Sequence, residues 1–293
     1  EISCSLVGSE MCIRDSLVSV EVPDKNGVMK DVVLGYDTLS GYESNVPSFG
    51  SPVGRCANRI SNACFVLNGK EYPLDNNDAT NCLHGGFLRY NYLMYDAECA
   101  TSQDDASVSF SRVSPDGEQG FPGNLTLTIT YTWNDANELM IEYNAVSDAD
   151  TILNITNHSY FNIGCGGQAA GDVLGAQVQI ASAKYTPINE KRLPTGEICD
   201  VAGTAMDFRE FHDIGSRIGE DDANAQTVSG YDHNYILPGN PGEICYAAAV
   251  RDPESRRIVE VFTDMPGVQL YTAKELVEQG GNCLLYTSDA ADD

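Results

Sequence analysis

Leu125, Leu127, Ile129, Tyr131 and Trp133 alternate with Thr126, Thr128, Thr130 and Thr132, a period of two that gives a β-strand one apolar face and one hydroxyl-bearing face. Leu139, Ile141 and Tyr143 repeat the pattern just after the turn-forming string Asn134-Asp135-Ala136-Asn137, so residues 124–145 read as a β-hairpin. Shorter apolar runs predict further strands at 17–22, 31–35, 64–67, 107–112, 152–156, 176–181, 244–250, 257–263 and 267–272. Gly, Asn, Asp and Pro break these runs where long amphipathic helices would otherwise connect them, and the best case for a helix is a short one at 210–218. The pattern predicts an all-β chain folded as a large antiparallel β-sandwich.

Neither alternation nor a helical period marks residues 1–16 or 283–293. Glu10-Met11-Cys12-Ile13-Arg14-Asp15-Ser16 and the string from Leu284 to Asp293 resemble translated sequencing-adapter read-through. The expected organisation is a non-native tail at 1–16, a single domain over 17–282 that is cut at its C-terminal end, and a second non-native tail at 283–293. With the N-terminus replaced in this way, the lack of a visible signal peptide carries no weight.

Charge narrows the partners. Seventeen Lys+Arg against 43 Asp+Glu give a formal net charge of −26, which repels phosphate backbones and anionic membrane surfaces and favours a neutral ligand over a phosphorylated one. No apolar run approaches the ~20 residues of a membrane span. Ten cysteines are scattered without a CxxC pair, as expected for reduced thiols in a cytoplasm. Asn-x-Ser/Thr sequons begin at Asn124, Asn154 and Asn157.

Of four histidines, two sit among residues suited to chemistry. His84 lies in Asn81-Cys82-Leu83-His84-Gly85-Gly86, where paired glycines permit close backbone approach to a ligand. His158 is surrounded by the hydrogen-bonding residues Asn157, Ser159 and Tyr160. His233 in Tyr231-Asp232-His233-Asn234-Tyr235 is less distinctive, and His212 reads as surface. Arg59, Asp232 and Gln269 stand beside strand-like runs, where a β-scaffold presents polar groups to a small-molecule ligand. Taken alone, each has a plainer explanation: a structural histidine, a surface salt bridge for Arg59, a turn cap for Asp232, a sheet-surface side chain for Gln269. No HxH or HExxH spacing supports a metal site, and neither a GxSxG elbow nor a Walker A loop is present. Residues 164–169 fit G-x-G-x-x-[G/A], but no amphipathic helix follows them, so they read as a loop.

In order along the chain, Gly54-Arg55-Cys56-Ala57-Asn58-Arg59-Ile60, Leu67-Asn68-Gly69-Lys70-Glu71-Tyr72, Asn81 to Gly86, Thr156-Asn157-His158-Ser159-Tyr160-Phe161-Asn162 and Tyr185-Thr186-Pro187 resemble the motifs of the aldose 1-epimerase (galactose mutarotase) family. Leu193-Pro194-Thr195-Gly196-Glu197, Gly203 to Arg209 and Gly230-Tyr231-Asp232-His233-Asn234 continue the likeness, which covers nearly all of 17–282. The resemblance implies a galactose-mutarotase-type sandwich that interconverts α- and β-anomers of hexoses such as galactose and glucose with no cofactor and no metal, as a monomer or homodimer. It also implies that His158 is the acid at the ring oxygen and that His84 assists at the ring. Asn58, Arg59, His84, Ser159, Tyr160, Asp232 and Gln269 are then the residues lining the sugar site.

One departure stands out. The family's base is a glutamate in a Cys-Leu-Glu-like segment, whereas this chain reads Gly280-Gly281-Asn282-Cys283-Leu284-Leu285. The resemblance therefore implies an enzyme whose base is missing from the chain as written. A non-catalytic carbohydrate-binding protein and a phosphosugar epimerase of the same fold are the alternatives.

Overall fold

The computed structural model describes residues 3–7, 16–36, 38–164, 173–218, 230–240 and 242–273. They divide into two compact units, one within 2–21 and 33–160 and the other within 22–32 and 161–293. Residues 274–293, and with them the end of the expected domain and the 283–293 tail, lie outside the described residues, as does most of the glycine-rich 164–169 string.

In the first unit the predicted hairpin forms the centre of a four-stranded antiparallel sheet, ordered Leu139–Ser147, Leu125–Asn134, Asp105–Ser114, Asp96–Thr101. Leu125, Leu127, Ile129 and Tyr131 are buried with Phe110, while Thr126 is exposed, so the period of two becomes an inside and an outside. The turn closes on Asn134, whose side-chain oxygen accepts from the amides of Ala136 (2.9 Å) and Glu138 (3.1 Å). Asp96–Thr101 is an exposed edge strand with no apolar alternation, and its sequence gives no sign of it.

Ser3–Val7 pairs with Ser16–Pro23, so part of 1–16 is strand. Ser16, which the sequence pattern assigns to the tail, is buried, and its hydroxyl meets that of Ser51 at 2.5 Å.

The second unit is a two-layer sandwich. One sheet is ordered His212–Asp213, Gln177–Ile180, Cys245–Arg251, Ile258–Thr263, and the other Cys199–Asp200, Lys184–Thr186, Asp232–Ile236, Gly267–Tyr271. Val178, Ile180 and Ala248 from the first pack with Tyr185 and Tyr235 from the second, around Met206 and Phe208. The two tyrosines Tyr231 and Tyr235 reach the backbone carbonyls of Ala205 and Met206, both at 3.2 Å, which satisfies their hydroxyls inside the core.

Three local expectations are corrected. Residues 210–218 hold no α-helix: His212–Asp213 is a strand and Ile214–Ser216 a single 3-10 turn, because the amides of Ile214 and Gly215 bond outward to Ala176 (2.9 Å) and Leu174 (2.9 Å). In 31–35 the strand stops at Asp31, and the Leu34 amide instead donates to the Tyr160 carbonyl at 2.9 Å. In 152–156 only Thr156 joins a strand, Thr156–Asn157 pairing with Pro52–Val53. The chain also contains a helix that its sequence does not announce, Leu39–Glu43. Among the described residues, no helix is long and apolar enough to cross a membrane.

Candidate active site

His84 and His158 are far apart in sequence and meet in the first unit. Their rings touch edge to face, with centroids 5.1 Å apart and planes at 88°. The Tyr160 ring lies 5.0 Å from that of His158 and packs edge-on to Phe49 at 5.1 Å.

His158 follows the Thr156–Asn157 strand, and its amide donates to the Ser51 carbonyl at 2.8 Å. Asn157 clamps the turn. Its carboxamide nitrogen donates to the Gly50 carbonyl (2.7 Å) and the Tyr131 hydroxyl (3.1 Å), while its oxygen accepts the Ser159 amide (2.9 Å) and the Ser159 hydroxyl. The Ser159 hydroxyl is thus engaged in holding the turn. The Asn157 side-chain nitrogen is committed as well, which makes that sequon a poor glycan acceptor. In the sequence Asn157 is only a neighbour of the histidine; the sole signal of its clamping role is the Asn-x-Ser spacing of an Asx turn.

His84 sits in the turn before Gly85-Gly86, in the left-handed region (φ 54°). Its amide donates to the Asn58 carbonyl at 3.0 Å, and its Nδ1 accepts the Asn58 amide at 3.1 Å. Burial, and then the nearby charges of His158, Arg89 and Arg59, hold the His84 imidazole well below the usual histidine range. The paired glycines serve a different end from the one their sequence suggests: a Cβ on Gly85 would overlap the Gly54 carbonyl, and one on Gly86 would crowd Gln119 and Asp75. The close approach is to the protein's own chain.

Arg59 pairs with Leu83 across the short Arg59–Ile60 and Cys82–Leu83 ladder. Its Nε donates to Asp78 at 2.7 Å, with the arginine side chain only 10% exposed, so this is a partly buried ion pair and no loose surface bridge. Nη1 reaches the Asn58 side-chain oxygen at 3.5 Å. Asp78 does not stand out in the sequence, since nothing but the fold brings it to Arg59.

Arg55, four residues before Arg59, has a fully buried side chain. Its guanidinium donates to the carbonyls of Ser114, Pro115, Pro122 and Gly123 and to the Ser114 hydroxyl, at 2.7–3.1 Å. Burial lowers its pKa, and Glu118, which also binds Arg112 at 2.7 Å, opposes that shift.

In the second unit Asp232 begins the Asp232–Ile236 strand and Gln269 lies on its neighbour, Gly267–Tyr271. The Gln269 carboxamide donates to Asp232 at 2.8 Å. His233, pointing to the opposite face, is fully buried, and its Nδ1 accepts the Asp232 amide at 3.2 Å. His212 is half-buried in its strand.

A cleft of about 510 Å3 in the first unit is lined by Leu67, Asn68, Lys70, Tyr72, Asp116 and neighbouring glycines, and contains none of these site residues. Its carboxylates have partners of their own, Asp150 accepting from Asn68 and Asp116 from the Gly123 amide, and the Tyr72 ring stacks on Phe65 and meets the Lys70 ammonium. The histidine pair is the better candidate.

Residues 16–293 match the family model described as aldose 1-epimerase. Over 261 residues the chain is 41% identical to the galactose mutarotase of Bos taurus, covering 89% of this chain and 72% of that one. It is 33% identical over the same length to the aldose 1-epimerase of Escherichia coli, covering 89% and 73%. Among solved structures, a GalM/aldose epimerase homologue from C. elegans superposes with a TM-score of 0.81 at 28% identity, covering 94% of this chain and 79% of that one.

Proposed function

Because the chain belongs to the aldose 1-epimerase family, we propose that the histidine pair of its first unit works on the ring of a neutral hexose, interconverting the α- and β-anomers. The observation that carries this reading is the edge-to-face contact of His84 and His158, which puts two imidazoles of unlike environment side by side.

Opening a hemiacetal requires a base to remove the anomeric hydroxyl proton while an acid donates a proton to the ring oxygen. The C1–O5 bond then breaks, the carbonyl turns, and the ring closes on its other face with the two groups in reversed roles. His158 is assigned the acid. His84, whose Nδ1 already accepts the Asn58 amide, is assigned a donor role through Nε2. Arg59 and Asn58 in this unit are assigned contacts with sugar hydroxyls; Ser159 and Tyr160 support the His158 turn.

A neutral sugar suits these groups better than a phosphosugar. Arg59 is committed at Nε to Asp78, and Arg89 donates to the Val46 carbonyl, so both guanidiniums near the pair already hold partners of the protein's own. Free thiols at Cys56, Cys64, Cys82, Cys99, Cys199 and Cys245 support a reducing, cytoplasmic setting.

The family's base is a glutamate in a Cys-Leu-Glu-like string, and the similar string here, Cys283-Leu284-Leu285, lies in the expected non-native tail and carries no glutamate. The 293-residue chain is therefore expected to bind hexose with little turnover. Polarimetry of freshly dissolved α-galactose, together with NMR of the histidine resonances on adding galactose, tests this. Little acceleration with a galactose-induced shift of the His84 and His158 resonances supports the assignment, whereas a rate like that of a complete mutarotase, or no shift, overturns it.

A further inference from the structure

We infer that the backbone amide of Asn58 is a positioning group that locks His84 as the neutral imidazole with its proton on Nε2. The inference deepens the proposed sugar-site reading and rests on it for its functional meaning. The geometry behind it does not depend on that reading.

Two hydrogen bonds join the same pair of residues in opposite directions: the His84 amide donates to the Asn58 carbonyl at 3.0 Å, and the Asn58 amide donates to His84 Nδ1 at 3.1 Å. A backbone N–H can only donate, so the ring nitrogen facing it must present a lone pair. Protonating Nδ1 would set two donors against each other, and moving the neutral proton to Nδ1 would do the same. Only the Nε2–H tautomer satisfies the contact.

The surroundings make the amide hard to turn away. Asn58 has φ 61°, a left-handed conformation that Asn tolerates and most residues do not. Arg59 pairs with Leu83 directly before His84 and is held by Asp78, while Gly85 is pressed against the Gly54 carbonyl. Both partners of the bond are thus fixed at their neighbours.

The charges facing His84 act in the same direction. His158, Arg59 and Arg89 are its positive or protonatable neighbours. Of the acidic groups on the adjoining turns, Asp78 is spent on Arg59 and Asp75 accepts the Phe87 amide. A cationic His84 would lose the Asn58 bond and face three like charges. The consequence is a division of labour: His84 offers a permanent N–H donor, and any positive charge carried by the pair falls to His158.

The test is heteronuclear NMR on the 15N-labelled 293-residue chain, reading the two ring nitrogens of His84 through a pH titration. The expected spectrum has a pyridine-like Nδ1 and a pyrrole-like Nε2 that persist at pH values where a solvent-exposed histidine is cationic. A mixture of tautomers, an Nδ1–H ring or an ordinary histidine titration overturns the inference. Two substitutions at position 58 then isolate the backbone. Asn58→Gly keeps the N–H and the left-handed conformation, and is expected to keep the Nε2–H pattern; losing it there assigns the lock to the side chain and overturns the proposal. Replacing Asn58 by its α-hydroxy analogue, which makes the peptide link an ester and deletes only the N–H, is expected to release His84 into mixed tautomers with a higher titration midpoint. An ester protein with well-dispersed amide signals and an unchanged His84 overturns the proposal. Should the ester protein not fold, the wild-type and Asn58→Gly spectra still decide. Adding galactose separates the two readings: a locked His84 that does not respond to sugar removes it from the sugar site and leaves the lock in place.

Discussion

His84 and His158 lie edge to face, ring centroids 5.1 Å apart, and the Nδ1 of His84 is occupied by a backbone amide, that of Asn58 at 3.1 Å. Two imidazoles this close resist carrying two positive charges, and the amide decides which of them stays neutral. Their chemistry is therefore unequal although their side chains are the same.

The first prediction follows from that inequality. In a protein whose C-terminal segment carries the family's glutamate, His158→Ala is expected to lower kcat by at least ~100-fold, the usual contribution of a general acid, with the melting temperature little changed because the residue is only half-buried. Coupled turnover assays together with thermal melts check it. An unaltered kcat removes His158 from the reaction.

A second concerns pH. The folded-state pKa of His84 is depressed, so below ~6.5 the unfolded chain takes up a proton that the folded chain refuses. The contribution of neutral His84 is fully present above that pH and is lost as pH falls from there through the folded pKa, at no more than ~1.4 kcal/mol per pH unit. Urea unfolding at pH 7.5 and 5.5 is expected to show a larger loss for wild type than for His84→Gln, which has no ring to protonate. Equal losses contradict the buried, neutral assignment.

The Arg55 guanidinium organises four backbone carbonyls and the Ser114 hydroxyl in a site closed to water. Arg55→Ala leaves these acceptors buried without donors and Glu118 short of a nearby cation, so a loss of at least ~3 kcal/mol is expected. Arg55→Lys recovers little, because a point-like ammonium cannot span the fork. Denaturation midpoints of the two variants measure this.

Glycine substitutions separate steric need from backbone freedom. Gly85→Ala puts a methyl into the Gly54 carbonyl at φ 91°, and is expected to disturb both folding and the His84 turn. Gly69 has nearly the same conformation, φ 78°, with nothing within 4 Å of where a methyl would sit, so Gly69→Ala is expected to cost only ~1 kcal/mol. Similar losses at the two positions refute the steric argument.

Half-buried strands are legible in residue type: Leu125 to Trp133 alternates with threonines because one face meets a core and the other meets water. The company that His84 and His158 keep, Gly85-Gly86 beside one and Asn157, Ser159 and Tyr160 beside the other, already sets them apart from His212 and His233. Asp96–Thr101 stayed invisible because an exposed edge strand buries nothing that a sequence would record. The 210–218 stretch went the other way, its amides drawn to Leu174 and Ala176 by pairings that local propensity does not contain. Only the tertiary structure joined His84 to His158 and to the Asn58 amide, tied Arg59 to Asp78, and showed Gly85 making room for Gly54. Each of these is a contact between segments distant in the chain, where geometry sets which nitrogen keeps a proton and which cation is already spent. Residue types supply the groups; their protonation and partners follow from where the backbone places them.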